Sequence, residues 1–533
     1  MQLLGGIDVL GSLDKLGIVV GEASTTEFLF LADEEKHPPR WEYVLVKSKE
    51  NIGNEEVEVN VIAQIDAIYS TSNALSEEIR LETAEKIKDA RMLDRRLIAK
   101  ARVLGYLHNG EVLQPRRAVY PGNYVFKAPK DTLEEFYSYP QEEGLLIGHL
   151  ITREDVNVSI SIKGLRRHLA ILAQTGAGKS YTAGCILEEL LRKGATVVLI
   201  DPHADYTLLS RRKDGTKFSD RISIFKTPQS TGRYDEGKIG KKINYYEVKF
   251  SDLSVDEICK ICGISEKWTN IISIIQASIN DLSEDYTLED LINKLEEKAK
   301  KPDPTALKAL NYIKRIGSLK VFGSVTTDIN KLLKPKHISV IDLSGLDDRV
   351  SNYITFKILS SIYEEVESQS FKYPVFIFIE EAHRFVPNNG NTLSKNIIKK
   401  IAAEGRKFGI FLVLITQRPY KIDQDALSQC NSQIIMRITN PEDQKAIKTS
   451  SERISEDLLN DLPGLNVGEA VIIGEVTKTP VMVKIRQRET EEGGSDVDIV
   501  NKLKEALEAV HEEEVNKGDK LREELSKYKD MME

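Results

Sequence analysis

Ala173-Gln174-Thr175-Gly176-Ala177-Gly178-Lys179-Ser180 stands between an apolar run, His168 to Ala173, and a segment of helical apolar period, Lys179 to Arg192. It meets the phosphate-loop pattern G-x-x-x-x-G-K-[ST] at every position but the first, where Ala173 replaces glycine. Gly176 and Gly178 let the backbone pass close to phosphate oxygens, and successive N–H groups at a helix N-terminus face the anion. Lys179 would then reach the β- and γ-phosphates, and Ser180 would give its hydroxyl to Mg2+. Gly176, Ala177, Gly178, Lys179, Ser180 and Tyr181 are the expected ATP contacts. Ala173 leaves the cradle intact because later backbone builds it.

A phosphate loop needs a second acidic site. Val375-Phe376-Ile377-Phe378-Ile379-Glu380-Glu381 reads as a buried strand ending in two carboxylates, the Walker B arrangement. Glu380 would hold the Mg2+ water shell, and Glu381 would act as general base on the attacking water. A second carboxylate at this place marks hydrolysis rather than phosphoryl transfer that must exclude water. The run Phe411 to Thr416 is a further buried strand, and Gln417 at its polar end would sense the γ-phosphate or its water.

Between those strands runs a helical segment, Asn391 to Lys407. At 1.5 Å per residue it carries Arg406 roughly 20 Å from its start, too far to serve its own nucleotide if the helix begins beside that site. Arg406 could serve a neighbour's, as an arginine acting in trans on the transferring phosphoryl group. Arg418 competes for this role, with Arg437 a weaker candidate. Asp201-Pro202-His203-Ala204-Asp205-Tyr206 follows another strand at the same sheet edge and could touch the nucleotide site or transmit its state. His203 and His383 lack partners at metal-ligand spacing and read as structural.

The elements that must position these groups follow from periodicity. Residues 1–130 hold short β-like runs broken by turn residues, with one helix expected over Leu75 to Arg96, and imply a small β-barrel. A connecting segment is expected over 131–153. Strand and helix then alternate as in a parallel α/β sheet, its first part over 154–250 and its second over 336–488, split by a helical insertion at 251–335. EEGGSDVD past Arg488 reads as a hinge, and 489–533 as an acidic helical tail.

Across 533 residues, 74 Lys+Arg oppose 83 Asp+Glu, a net charge of −9. The 45 residues from Glu489 onward carry 15 acidic and 7 basic side chains, so nearly all of the excess lies in the tail. The near-neutral body excludes coating of nucleic acid by bulk positive charge, yet allows an enclosed channel with local basic residues. Gly390 to Ser450 is locally basic, and Lys395, Lys399 and Lys400 are either candidate DNA contacts or a solvated helix face. No apolar run reaches the ~20 residues of a membrane span, and the N-terminus does not read as a signal peptide, so the expected location is cytoplasmic. The CxxC of Cys259 and Cys262 has no second pair, which favours plain apolar helix positions over a redox or metal role. Abundant Lys, Glu and Ile beside few Cys, Met and Trp is the composition of a heat-adapted protein.

AQTGAGKS, DPHADY, IEEAHRFVP, EGRKFGI and TQRP, in that order within an α/β core behind a β-domain, resemble the HerA family, hexameric archaeal DNA translocases of the HerA/FtsK superfamily. EEAHRFVP with TQRP is far more specific than the phosphate loop, and the likeness covers most of the chain. It implies a HAS-type barrel, a RecA-like P-loop NTPase core, and a C-terminal extension bracing the next subunit. It further implies a hexameric ring on double-stranded DNA, working with a NurA-type nuclease in end resection, with Lys179, Glu381 and Arg406 as phosphate-loop lysine, catalytic glutamate and trans arginine. The expectation is therefore an ATP- and Mg2+-dependent duplex DNA motor. A secretion- or conjugation-type ring ATPase and an ATP-switched scaffold recruiting a nuclease are the alternatives, separable by stimulation with duplex DNA and by steady-state turnover.

Overall fold

The alternation at Val57, Val59 and Val61 lies within one 18-residue strand, long enough to cross a barrel and bend with it. The computed structural model describes residues 13–530, apart from 91, 233, 235, 240–242, 301–303, 317–320, 452 and 494–498. The last of these gaps takes most of the expected hinge outside the described residues.

Seven strands, β1 (Lys15–Ala23), β2 (Glu27–Ala32), β3 (Tyr43–Ile52), β4 (Glu55–Ser72), β5 (Arg95–His108), β6 (Glu111–Leu113) and β7 (Tyr124–Lys127), run in the order β2-β1-β7-β3-β4-β5-β6. β2 also pairs with β5, which closes six of them into a barrel. Register shifts between β4 and β5 at Ile62/Ala63 and Ile65/Ala67 supply the bends closure requires. Phe28, Phe30, Val44, Val61, Ile65 and Ala101 fill the interior. The helix expected over Leu75 to Arg96 shrinks to Leu81–Asp89, which buries no residue and so gains little from packing to extend it.

The second sheet has twelve strands: β8 (Gly144–Leu150), β9 (Arg153–Ser161), β10 (Leu169–Leu172), β11 (Thr196–Asp201), β12 (Ile222–Lys226), β13 (Asn244–Tyr245), β16 (His337–Asp342), β17 (Val375–Ile379), β18 (Ile410–Thr416), β19 (Ser432–Met436), β20 (Glu469–Ile473) and β21 (Val481–Ile485). A separate short pair, β14 (Val248–Lys249) with β15 (Phe322–Gly323), closes the base of the insertion. The order is β13-β12-β16-β11-β17-β18-β10-β19-β20-β21-β8-β9, parallel from β13 to β19 and antiparallel beyond. Helices cover both faces of the parallel part, which is why β10, β11, β16, β17 and β18 are buried at every position. The segment expected as a mere connection, 131–153, instead donates a helix, Lys130–Tyr137, and strand β8, which hydrogen-bonds β21 from the far end of the chain.

The insertion is helical: Val255–Cys262, Thr269–Asn280, Leu288–Ala299 and Pro304–Lys314. Ser254 with Glu257, and Thr287 with Asp290, form capping boxes at two of these starts. Cys259 and Cys262 face the core with Ile258 and Ile261, and burial pushes their thiols up to about 11 and about 12. After β21 the chain binds back over the phosphate-loop helix, Lys179–Arg192. Buried Glu188 accepts the N–H groups of Glu489 and Thr490 and pairs with Arg486 at 2.9 Å. Arg488 lies so close that a Cβ on Gly184 would sit 2.4 Å from its Nε. The first residues of the acidic tail thus belong to the core, Glu489 pairing with Arg192 and Arg212. A long helix, Ile499–Asp530, follows.

His168, just before β10, ties three elements. Its Nε2 is 3.0 Å from Ala402 O, and Leu412 N–H donates to Nδ1 at 2.9 Å. Burial brings its pKa down to about 4, against the Ala402 contact and helped by Arg406. The unfolded chain takes up this proton near 6.5 and the folded chain near 4, so stability falls as pH drops through that window, by about 3 kcal/mol at most. In urea unfolding at pH 7, 5.5 and 4.5, the stability gap between wild type and His168→Gln is expected to narrow with acid. A constant gap would refute the assignment.

Candidate active site

Strand order places the reacting groups. The parallel strands point their carboxyl ends to one edge, where β10 runs into the phosphate loop, β11 ends at Asp201, β17 at Glu380 and β18 at Gln417. β18 lies between β10 and β17, so one strand separates the phosphate loop from the carboxylates at this edge. Gly176 and Gly178 have φ of 76° and 106°, the left-handed region that glycine enters without strain. A Cβ on Gly178 would also press on Met436 Cε at 3.2 Å.

Lys179 Nζ stands 2.5 Å from Glu380 Oε1 and 3.0 Å from Glu381 Oε1. Burial alone would lower the lysine pKa, but the two carboxylates outweigh it and hold the ammonium above its ordinary value. Burial raises the Glu380 carboxyl, with Lys179 opposing. Glu381 sits in left-handed backbone, φ 49°, a strained conformation for a non-glycine residue that turns its side chain back over the crevice. Thr175 Oγ1 donates to Gln417 Oε1 at 2.6 Å, which seats Gln417 on the phosphate loop.

The donors fit a hard cation. Ser180 Oγ is 3.0 Å from Glu380 Oε1, and Glu380 Oε2 is fully buried without a hydrogen-bond partner, an oxygen that Mg2+ or its water shell would satisfy. Mg2+ there would polarise the γ-phosphate. The chain's own share would be to hold that shell with Ser180 and Glu380, present Lys179 to phosphate, and face the crevice with the Glu381 carboxylate.

Two neighbours of the site, Asp205 and His383, gain specific partners in the structure. Asp205 Oδ2 accepts from Ser180 Oγ at 2.9 Å; the signal was an acid one turn beyond a strand that ends at the same edge. His383 Nδ1 lies 3.0 Å from Thr416 Oγ1 and 3.3 Å from Glu381 Oε2, so it borders the candidate base. Burial lowers its pKa, against the pull of Glu381.

Other expected residues lie apart. Arg406 is exposed in the last turn of the helix Leu393–Phe408, at the end where β18 begins, opposite to Gln417. Arg418 is exposed beside the crevice, and Arg437 stands behind the loop, its carbonyl accepting from Gln174 N–H at 3.0 Å. Lys395, Lys399 and Lys400, the candidate DNA contacts, each have a partner within the chain. Lys395 donates to Pro387 O at 2.7 Å and pairs with Asp423, Lys399 pairs with Asp423 and Asp425, and Lys400 Nζ lies 4.0 Å from the Tyr363 ring centroid. Charge alone does not reveal that Asp423 folds beneath this helix.

A parallel α/β sheet with a phosphate loop, a paired-carboxylate strand end and a glutamine beside them defines a P-loop enzyme that hydrolyses ATP. Residues 145–362 match the family model for the central domain of helicase HerA, and 275–492 that for the HerA-like helicase C-terminal region. The chain is 30% identical to the DNA double-strand break repair helicase HerA of Pyrococcus furiosus, over 92% of this chain and 97% of that one. It is also 30% identical to the protein of the same description from Saccharolobus solfataricus, over 94% and 98%. The chain belongs to the HerA helicase family. Among solved structures it resembles VirB4 of Thermoanaerobacter pseudethanolicus (TM-score 0.47, 16% identity, 66% of this chain and 98% of that one) and the bacterial conjugative coupling protein TrwB (0.47, 14%, 69% and 94%).

Proposed function

We propose that this protein is the motor subunit of a homo-oligomeric ring, a hexamer, that moves along double-stranded DNA by hydrolysing ATP with Mg2+ in the cytoplasm during double-strand break repair. The observation that carries the ring is the separation within one chain of a complete phosphate-loop and carboxylate site from an exposed Arg406 at the opposite sheet edge. Head-to-tail packing of copies would bring the two together. The DNA substrate is supported by relatives described as double-strand break repair helicases. No helix among the described residues is long and apolar enough to cross a membrane, which speaks against a membrane-anchored coupling motor.

End resection would need a nuclease. The barrel, which leaves Leu31, Tyr69, Tyr120 and Tyr124 exposed, is the proposed docking site for a NurA-type partner. The reading is tested by steady-state ATPase with and without linear duplex DNA across a salt series. Duplex DNA is expected to stimulate turnover, and the stimulation to fade steeply with salt, because sequence-independent phosphate contacts release counterions. A monomeric particle whose turnover ignored duplex DNA at low salt would sink the motor reading and favour a motor for another polymer. Absence of turnover would favour a scaffold.

A further inference from the structure

We infer that Asp205 is a third side chain of the metal site, facing the water shell of the nucleotide-bound cation together with Ser180 and Glu380. The inference rests on the ATP-hydrolysing reading of the same crevice and deepens it.

The serine hydroxyl has two carboxylates against it, Asp205 Oδ2 at 2.9 Å and Glu380 Oε1 at 3.0 Å. One hydroxyl carries one proton, so it can donate to only one of them at a time. On the same Glu380 carboxyl, Oε2 is fully buried and unpartnered. Buried carboxylate oxygens are costly unless paired or bound to a cation. Charge points the same way: Lys179 is the cation that pairs with Glu380 and Glu381, and the Asp205 carboxylate on Ser180 adds negative charge that a divalent cation would offset. Mg2+ retains several waters and is held through one or two carboxylates beside substrate phosphates, so Asp205 and Glu380 on either side of Ser180 suit its octahedral shell.

The placement of Asp205 is built by the fold. Asp201, fully buried at the end of β11, accepts the backbone N–H groups of His203, Asp205 and Tyr206 at 3.2, 3.1 and 3.0 Å. Ala204 within that turn has φ of 62°, in the left-handed region. From the other side, Gly493 N–H donates to Asp205 O at 2.9 Å, and a Cβ on Gly493 would lie 2.4 Å from Ala204 O. The backbone on both sides is fixed, and the carboxylate is left facing Ser180.

The test replaces Mg2+ by Mn2+ and follows its binding to the full-length protein with ADP by electron paramagnetic resonance, without turnover. Asp205→Asn is expected to weaken Mn2+ 10- to 100-fold while leaving ADP affinity in EDTA within about twofold of wild type. Asp205→Glu should restore part of the loss, and Ser180→Ala should weaken Mn2+ in the same direction. Mn2+ binding by Asp205→Asn equal to wild type would overturn the inference, as would an equal loss of metal-free ADP affinity, which marks a structural role. Failure of the wild type itself to bind Mn2+ with ADP would overturn the underlying ATPase reading instead.

Discussion

Glu381→Gln is expected to lower ATP turnover by about 10²- to 10⁴-fold while nucleotide still binds, the range lost with a positioned general base. The substitution keeps the shape of the side chain, removes its ability to accept a proton and takes away one of the two negative charges on Lys179. Lys179, Ser180 and Glu380 remain in place, so the phosphate and metal contacts survive. Glu380→Gln should behave differently: it changes the carboxyl that touches Ser180 and Lys179, and its loss should appear as weaker metal-dependent nucleotide binding as well as slower turnover. Steady-state turnover with fluorescent-nucleotide titrations on both variants separates the two roles. A Glu381→Gln protein turning over within threefold of wild type would remove Glu381 from the base position.

The neighbourhood of Glu381 supports a dedicated role. A non-glycine residue at φ 49° costs on the order of 1–3 kcal/mol, and the fold accepts it where the buried strand β17 ends and the short turn Ala382–Arg384 begins. In extended backbone the side chain would continue the strand's alternation and leave the crevice. The strained turn keeps both consecutive carboxylates on the lysine.

Much of this was legible in the sequence, and the reasons differ from residue to residue. β10, β17 and β18 announced themselves because parallel strands covered on both faces read as unbroken apolar runs, and the chemistry follows each run directly. β8 was misread because its partner β21 lies more than 300 residues away, and no local period encodes a pairing of that range. Asp205 stood in a recognised motif, yet its role depends on Asp201 curling the turn toward Ser180, a tertiary fact. Lys395 and Lys399 show the converse: their charge is visible in the sequence and their partners, Asp423 and Asp425, are not. The tail boundary moved for the same reason, since buried Glu188 draws Glu489 and Thr490 onto the phosphate-loop helix.

Arg406→Ala is expected to abolish ATPase by itself, by the 10³- to 10⁵-fold that a phosphoryl-stabilising arginine supplies, and to recover activity when mixed with Lys179→Ala subunits. β18, seven residues long, separates Arg406 from Gln417, roughly 20 Å at about 3.3 Å per residue. No arginine side chain spans that distance, so Arg406 cannot reach the phosphates of its own chain. It is exposed, and no ion pair is formed by its guanidinium among the described residues. Its helix is anchored through His168 to the start of β10, so a neighbour seated against it would feel the position of the phosphate-loop strand. In a head-to-tail ring assembled from equal amounts of the two inactive proteins, roughly a quarter of the interfaces join an intact Lys179 to an intact Arg406. Turnover should return in about that proportion once subunit exchange is confirmed. Arg418 is the control, because it lies beside its own crevice: if it acts in cis, Arg418→Ala mixed with Lys179→Ala stays inactive. Confirmed mixed rings of Arg406→Ala and Lys179→Ala without ATPase would transfer the trans role away from Arg406.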